Sequence, residues 1–272
     1  MATAITRHIG RALARFLAKP RGNAPIATSP PALLAATLQP GDVLLVEGDT
    51  RISVAIKYLT QSTWSHAALY VGPQPQLPAR DGETVALVEA DLNEGVRAVP
   101  LSMYAGYHTR ICRPVGLRPE DRASLVNYVL SRLGQQYDLK NVFDLARYLI
   151  RTPPVPVRWR RRMIALGSGD PTRAICSTLI AQAFQSIRYP ILPEISVEKL
   201  DDPDCLDCYR ELLHIRHHSL FAPRDFDVSP FFAIVKPRVA FGFDHRALAW
   251  DDRDRSGTVV GLHSAALNAV KG

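Results

Sequence analysis

"ICSTLIAQAF", residues 175 to 184, sets one cysteine directly ahead of an apolar run with helical spacing. Leu179, Ile180, Ala183 and Phe184 share one face of the predicted helix, and the glycine-containing stretch "GSGDPTRA" (167 to 174) leads into it. Cys176 then falls in the first turn. Free backbone N–H groups and the helix dipole stabilise a thiolate there. The same N–H groups can receive the oxyanion of a tetrahedral intermediate. Taken alone, the stretch fits either a nucleophile or a small buried cysteine that packs. A nucleophile needs a base, and the base needs a group to orient it.

Working outward, two strand-like segments offer those partners. "SHAALYVG" (65 to 72) is β-like and stops at Gly72-Pro73. Strand alternation puts His66, Ala68 and Tyr70 on one of its faces. "VALVEA" (85 to 90) is apolar except for Glu89, and a lone charge inside such a strand is costly unless it is paired. If the two strands are neighbours, Glu89 can accept a hydrogen bond from the His66 imidazole and orient the ring. The alternatives are a satisfied strand histidine and an edge-strand glutamate facing water.

The rest of the chain frames these segments. Pro40-Gly41-Asp42 is a turn ahead of the short strand "VLLVE", and "RISVAIKYLT" (51 to 60) has a helical apolar face. "ETVALVEADLNEGVRAVPL" reads as two strands across a turn at Asn93-Glu94-Gly95. Helices are predicted near 118 to 133 and 138 to 150, the second broken by Pro153-Pro154-Val155-Pro156. "SPFFAIVKPRVAFGF" (229 to 243) reads as one or two late strands. Strands, then helices, then closing strands point to an α+β fold. Strands and helices do not alternate regularly, which argues against a doubly wound parallel sheet.

Five stretches occur in one order: "LQPGDVLLVEG", "TQSTWSHAALYVG", "LVEAD…GVRAVPL", "GQQYD" and "AICSTLIAQAF". Together they resemble the permuted papain-like cysteine hydrolases, the YaeF/YiiX group of the NlpC superfamily, over roughly residues 38 to 240. The resemblance implies a circularly permuted papain-like (NlpC-like) fold, with an antiparallel sheet packed against helices and the nucleophile on a helix N-terminus. The histidine strand then precedes the cysteine helix, the reverse of papain. Position by position, the family's nucleophile falls on Cys176, its histidine on His66 and its third polar residue on Glu89. Ser177 matches the serine after the nucleophile. Thr178 departs from the glutamate that members often carry next. The implied chemistry is acyl transfer: His66 activates Cys176, the thiolate attacks an amide or ester carbonyl, and a thioester is resolved by water or another acceptor. No metal and no cofactor is expected.

Composition bounds the remaining expectations. The 272 residues are 47% apolar and 22% charged, which is ordinary for a globular chain able to bury a sizeable core. The four cysteines, Cys112, Cys176, Cys205 and Cys208, are too sparse for a disulfide framework. No apolar run approaches the roughly 20 residues of a spanning helix, and the N-terminus lacks a signal-peptide core. A cytoplasmic chain, peripheral at the inner face of the membrane, is the resulting expectation.

Net charge is +7, with an arginine block at "VRWRRRM" (157 to 163). Residues 5 to 19 pattern as a basic amphipathic helix, a candidate for an anionic membrane surface. The expected organisation is a basic helix and linker over 1–37, a hydrolase domain over 38–245 and a tail over 246–272. The expected substrate is peptide-like or a lipid acyl group. Two alternatives stand beside a peptide-cleaving enzyme: an inactive scaffold on anionic membranes, and a lipid acyl hydrolase or acyltransferase. No nucleic-acid module is recognisable, and no glycine-rich nucleotide motif occurs. "CLDCYRELLHIRHH" (205 to 218) reads either as a helix with exposed histidines or as a compressed zinc site on Cys205 and Cys208.

Overall fold

Pro40-Gly41-Asp42 turns the chain into the first strand of the sheet. The Gly41 N–H donates to the Tyr70 carbonyl at 2.8 Å, and the Tyr70 N–H returns a bond to Asp42 at 2.8 Å. In the computed structural model, residues 19, 27, 29–77, 79, 82–91, 94–136, 175–199 and 209–237 are described. The basic segment over 5–18, Tyr137 and Asp138, the predicted helix at 138–150, the arginine block at 157–163, Cys205, Cys208 and the tail at 246–272 lie outside them.

The strands are β1 (Val43–Val46), β2 (His66–Tyr70), β3 (Val85–Asp91), β4 (Gly95–Pro100), β5 (Thr109–Pro114), β6 (Glu194–Lys199), β7 (Tyr209–His214) and β8 (Phe232–Val235). The helices are α1 (Pro31–Thr37), α2 (Arg51–Thr60), α3 (Pro119–Leu130), α4 (Ile175–Ser186) and α5 (Pro223–Val228). Six strands form one sheet in the order β4-β3-β2-β1-β5-β8, and every pairing in it is antiparallel. The architecture is the α+β fold expected, an antiparallel sheet packed against helices. The histidine strand β2 precedes the cysteine helix α4.

Period-two alternation divides the core between the sheet's two faces. On one, Val43, Leu45, Ala67, Leu69 and Val88 pack against Leu179, Ile180 and Phe184 of α4 and Leu125 of α3. On the other, Leu44, Val46, Ala68, Leu87 and Ile111 pack with Tyr104 and with Leu34 of α1. α1 lies ahead of the expected domain start at 38, and Leu34 anchors it to the sheet.

Several elements differ from the sequence reading, β6 and α5 among them, which lie where none was expected. β5 lies where no element was expected, between β4 and α3. The histidine-rich segment is not helical over 209–214: it is strand β7, antiparallel to β6, with Ile195 beside Leu213. Its charged and apolar residues satisfy a helical count, but pairing with a partner strand supplies the backbone hydrogen bonds that decide the conformation.

Candidate active site

His66 and Glu89 are brought together by strand register. β2 pairs with β3 at Leu69–Val88 and Tyr70–Leu87. Continuing that register sets Glu89 across from Ala68, and so diagonal to His66 on the same face. A diagonal pair of long side chains is within reach. The His66 Nε2 lies 2.7 Å from Glu89 Oε2.

The carboxylate is 1% exposed, and three side chains hold it. Arg97 stands directly opposite on β4 and donates to Oε1 through Nε at 2.8 Å and Nη2 at 2.7 Å. The Tyr104 hydroxyl donates to Oε2. Burial alone would raise the Glu89 pKa, but His66, Arg97 and Tyr104 together bring it down to about 2. The same neighbourhood moves Tyr104 the other way: burial, then the Glu89 charge, push its hydroxyl well above its ordinary value.

Cys176 is the second residue of α4 and is 4% exposed. Burial by itself would lower the His66 pKa. The charge and hydrogen bonding of Cys176, and then of Glu89, override it and raise the ring well above its ordinary 6.5. With Nε2 on Glu89, the imidazole has Nδ1 left for the sulfur. His66 and Glu89 are joined by a hydrogen bond, and the Cys176 sulfur acts on the same ring electrostatically.

Local packing holds the members in place. Ser177, next to the nucleophile candidate, is buried and donates from Oγ to the Phe221 carbonyl at 2.7 Å. Gly48 donates to Ser65 Oγ at 2.9 Å, fixing the residue before His66. A Cβ at Gly48 would stand 2.3 Å from Ser53 Oγ and 3.0 Å from Ser65 Oγ, so the close approach favours glycine. Thr178 Oγ1 is buried with no hydrogen-bond partner among the described residues. The other described cysteine, Cys112, is 0% exposed on the sheet, and burial drives its thiol far up in pKa.

Arg97 and Tyr104 were not anticipated from sequence. Arg97 had a usable signal: a hairpin turning at 93–95 sets it opposite Glu89 by counting alone. Tyr104 had none, because it sits in a single 3-10 turn (Leu101–Tyr104) after β4. Among the described residues, no group of three or more His, Cys, Asp or Glu is placed to hold a metal ion. Cys205 and Cys208 are outside that set. No described helix is long and apolar enough to cross a membrane.

Residues 37–148 match the model of a family described as permuted papain-like amidase enzyme, YaeF/YiiX, C92 family. The matched segment contains His66 and Glu89, and Cys176 lies beyond it. Among solved structures, the metalloprotein yiiX from Escherichia coli O157:H7 is similar, with 18% sequence identity and a TM-score of 0.43, over 74% of this chain and 98% of that chain. No curated protein matches. The resemblance carried by the sequence motifs is therefore shown over residues 37–148, as a similarity to this amidase family.

Proposed function

We propose that this chain, similar over residues 37–148 to the permuted papain-like amidases, is a cysteine hydrolase that cleaves an amide bond through a thioester on Cys176. The observation that carries the reading is the buried Glu89 carboxylate, bonded at 2.7 Å to His66, whose ring is also raised in pKa by the nearby Cys176. A packing cysteine would need neither a histidine nor a carboxylate held by two further donors.

His66 takes the proton of the Cys176 thiol, Sγ attacks the carbonyl carbon, and the π electrons move to oxygen. Backbone N–H groups in the first turn of α4 face the resulting oxyanion. The imidazolium gives its proton to the leaving nitrogen as the C–N bond breaks, which leaves an acyl-thioester and neutral His66. His66 then takes a proton from water, hydroxide adds to the thioester carbon, and the thiolate departs with the carboxylic acid released. Glu89 stays ionised throughout and stabilises the imidazolium, as the buried carboxylate of a triad does.

The test is iodoacetamide alkylation resolved by peptide mass mapping. Cys176 should be modified at least about a hundred times faster than Cys112, whose thiol is buried and driven far up in pKa. His66→Ala should erase most of that difference. Equal, slow modification of both sites in the wild-type protein would overturn the hydrolase reading and favour an inactive scaffold.

A further inference from the structure

An open groove of about 410 Å³ lies at the end of the sheet where β2 and β5 begin, lined in part by Trp64, His108, Arg110, Arg224 and Asp227. Both of its walls run on in sequence toward the candidate site. Trp64 is two residues ahead of His66. Arg224, on α5, is three residues past Phe221, whose carbonyl takes the Ser177 hydroxyl next to Cys176. Strand register gives the scale. Val46 is paired with His66 on one side and with Thr109 on the other. Two strand spacings thus separate His66 from Thr109, about 10 Å, and His108 stands next to Thr109.

The charges in the groove are unequally satisfied. Arg110 donates to Asp227 Oδ1 at 2.6 Å and lies over the Trp64 ring, 4.9 Å from its centroid. The Trp64 indole N–H donates to the other carboxylate oxygen, Oδ2, at 3.0 Å. Asp227 is therefore occupied at both oxygens, and its charge is matched by Arg110. The His108 ring packs tilted against Trp64, centroids 4.9 Å apart, and its Nδ1 lies 3.1 Å from Glu47.

Arg224 differs. Its Nη1 donates to the neutral Thr60 carbonyl at 3.0 Å, and among the described residues it makes no ion pair. The adjoining Asp225 is turned onto the Ala222 N–H at 2.9 Å. A guanidinium has five N–H donors, so Arg224 retains donors beyond the one on Thr60, although its charge is felt by Asp225.

We propose that this groove is a substrate subsite that seats a single carboxylate on Arg224, about two residues along the substrate from the bond under attack. A planar carboxylate fits the guanidinium fork, and a bulkier, more highly charged phosphate would bring its charge toward Asp227, which lines the same groove. The proposal takes its neighbouring scissile bond from the hydrolase reading above and narrows that reading to peptide-like substrates with a nearby free carboxylate.

The experiment uses the full chain and two independent readouts. The first is the alkylation rate of Cys176 by iodoacetyl-diglycine, by its carboxamide, and by an iodoacetyl probe of equal length ending in phosphate. The reach of three extended units, about 10 Å, matches the register distance. The carboxylate probe should react at least about tenfold faster than the carboxamide at low concentration. Arg224→Gln should bring that ratio close to one, with circular dichroism and a thermal melt reporting that the variant is folded.

The second readout is the Trp64 indole N–H resonance, assigned with Trp64→Phe, during titration with unreactive acetyl-diglycine. It should shift with the carboxylate and not with acetyl-diglycinamide. An indole shift with an inert Cys176 would keep the subsite and sink the hydrolase. A reactive Cys176 with equal rates for the carboxylate and carboxamide probes and no indole shift would sink the subsite alone. Preference for the phosphate probe would overturn the choice of a carboxylate.

Discussion

Glu89 keeps a negative charge in a nearly water-free position because an imidazole, a guanidinium and a phenol converge on it. An isolated carboxylate there would protonate instead. Two opposite pH dependences follow. The Glu89 pKa falls from 4.5 to about 2, so the stabilisation it contributes is present above pH 4.5 and is lost as pH falls toward 2. The His66 pKa is raised above 6.5, so its contribution is complete below that value and is lost as pH rises through the folded one. Glu89→Gln removes one of the two attractions on the imidazolium. His66 should then titrate at lower pH, and the alkaline limb of kcat/KM should move to lower pH with it. We expect kcat to fall by about 10² to 10⁴, as when a triad carboxylate becomes an amide. A pH–rate profile together with NMR titration of the His66 ring checks both. An unmoved alkaline limb would show that the ring is not coupled to Glu89. At this scale the sequence exposed His66, Glu89 and Cys176 because each breaks a local pattern. Tyr104 breaks none, so it stayed hidden.

Helix α4 is the element whose placement the proposed chemistry needs. Its apolar face was legible from the spacing of Leu179, Ile180, Ala183 and Phe184, and those side chains are in the core. Its rotation and depth depend on contacts from far along the chain, among them the bond from Ser177 to the Phe221 carbonyl. Ser177→Ala leaves that buried carbonyl without this donor, which costs about 1–3 kcal/mol. It also frees the first turn of the helix. We expect a lower urea midpoint together with slower alkylation of Cys176. A stability loss with an unchanged alkylation rate would mean the bond does not position the sulfur. Strand β5 shows why some elements escaped reading. Ile111 and Arg113 point to one face and Arg110 and Cys112 to the other, so neither face shows apolar–polar alternation. The arginines are accommodated by Asp227 and Asp42, residues 117 and 71 positions away. No window of the sequence contains both halves of either pair.

Across the whole molecule, the same kind of charge pair serves two purposes. The Glu89–Arg97 pair belongs to the site. The Asp42–Arg113 pair ties the turn before β1 to β5, with Nε donating to Oδ1 at 2.8 Å and Nη2 to Oδ2 at 2.7 Å. Asp42 is buried and also accepts from the Gln39 N–H at 2.8 Å. Arg113→Leu leaves that carboxylate facing the core without its cation, a loss of about 3 kcal/mol given the partly exposed guanidinium. The melting temperature should fall by several degrees, while the titration of the His66 ring stays where it is. A shifted His66 titration would show that the two pairs are coupled through the sheet.

What the sequence determined by itself was local: which segments alternate, which are helical, that Cys176 heads a helix, and that His66 and Glu89 sit in otherwise apolar strands. Periodicity and cost of burial act over a few residues, so they can be read from a few residues. Only the tertiary structure decided that strand register puts Glu89 diagonal to His66, that Arg97 and Tyr104 hold the carboxylate, and that Trp64, Arg110 and Arg224 share one groove. Those contacts join positions 8 to more than 100 residues apart, and their energies exist only once the sheet has closed and water has been removed from between them.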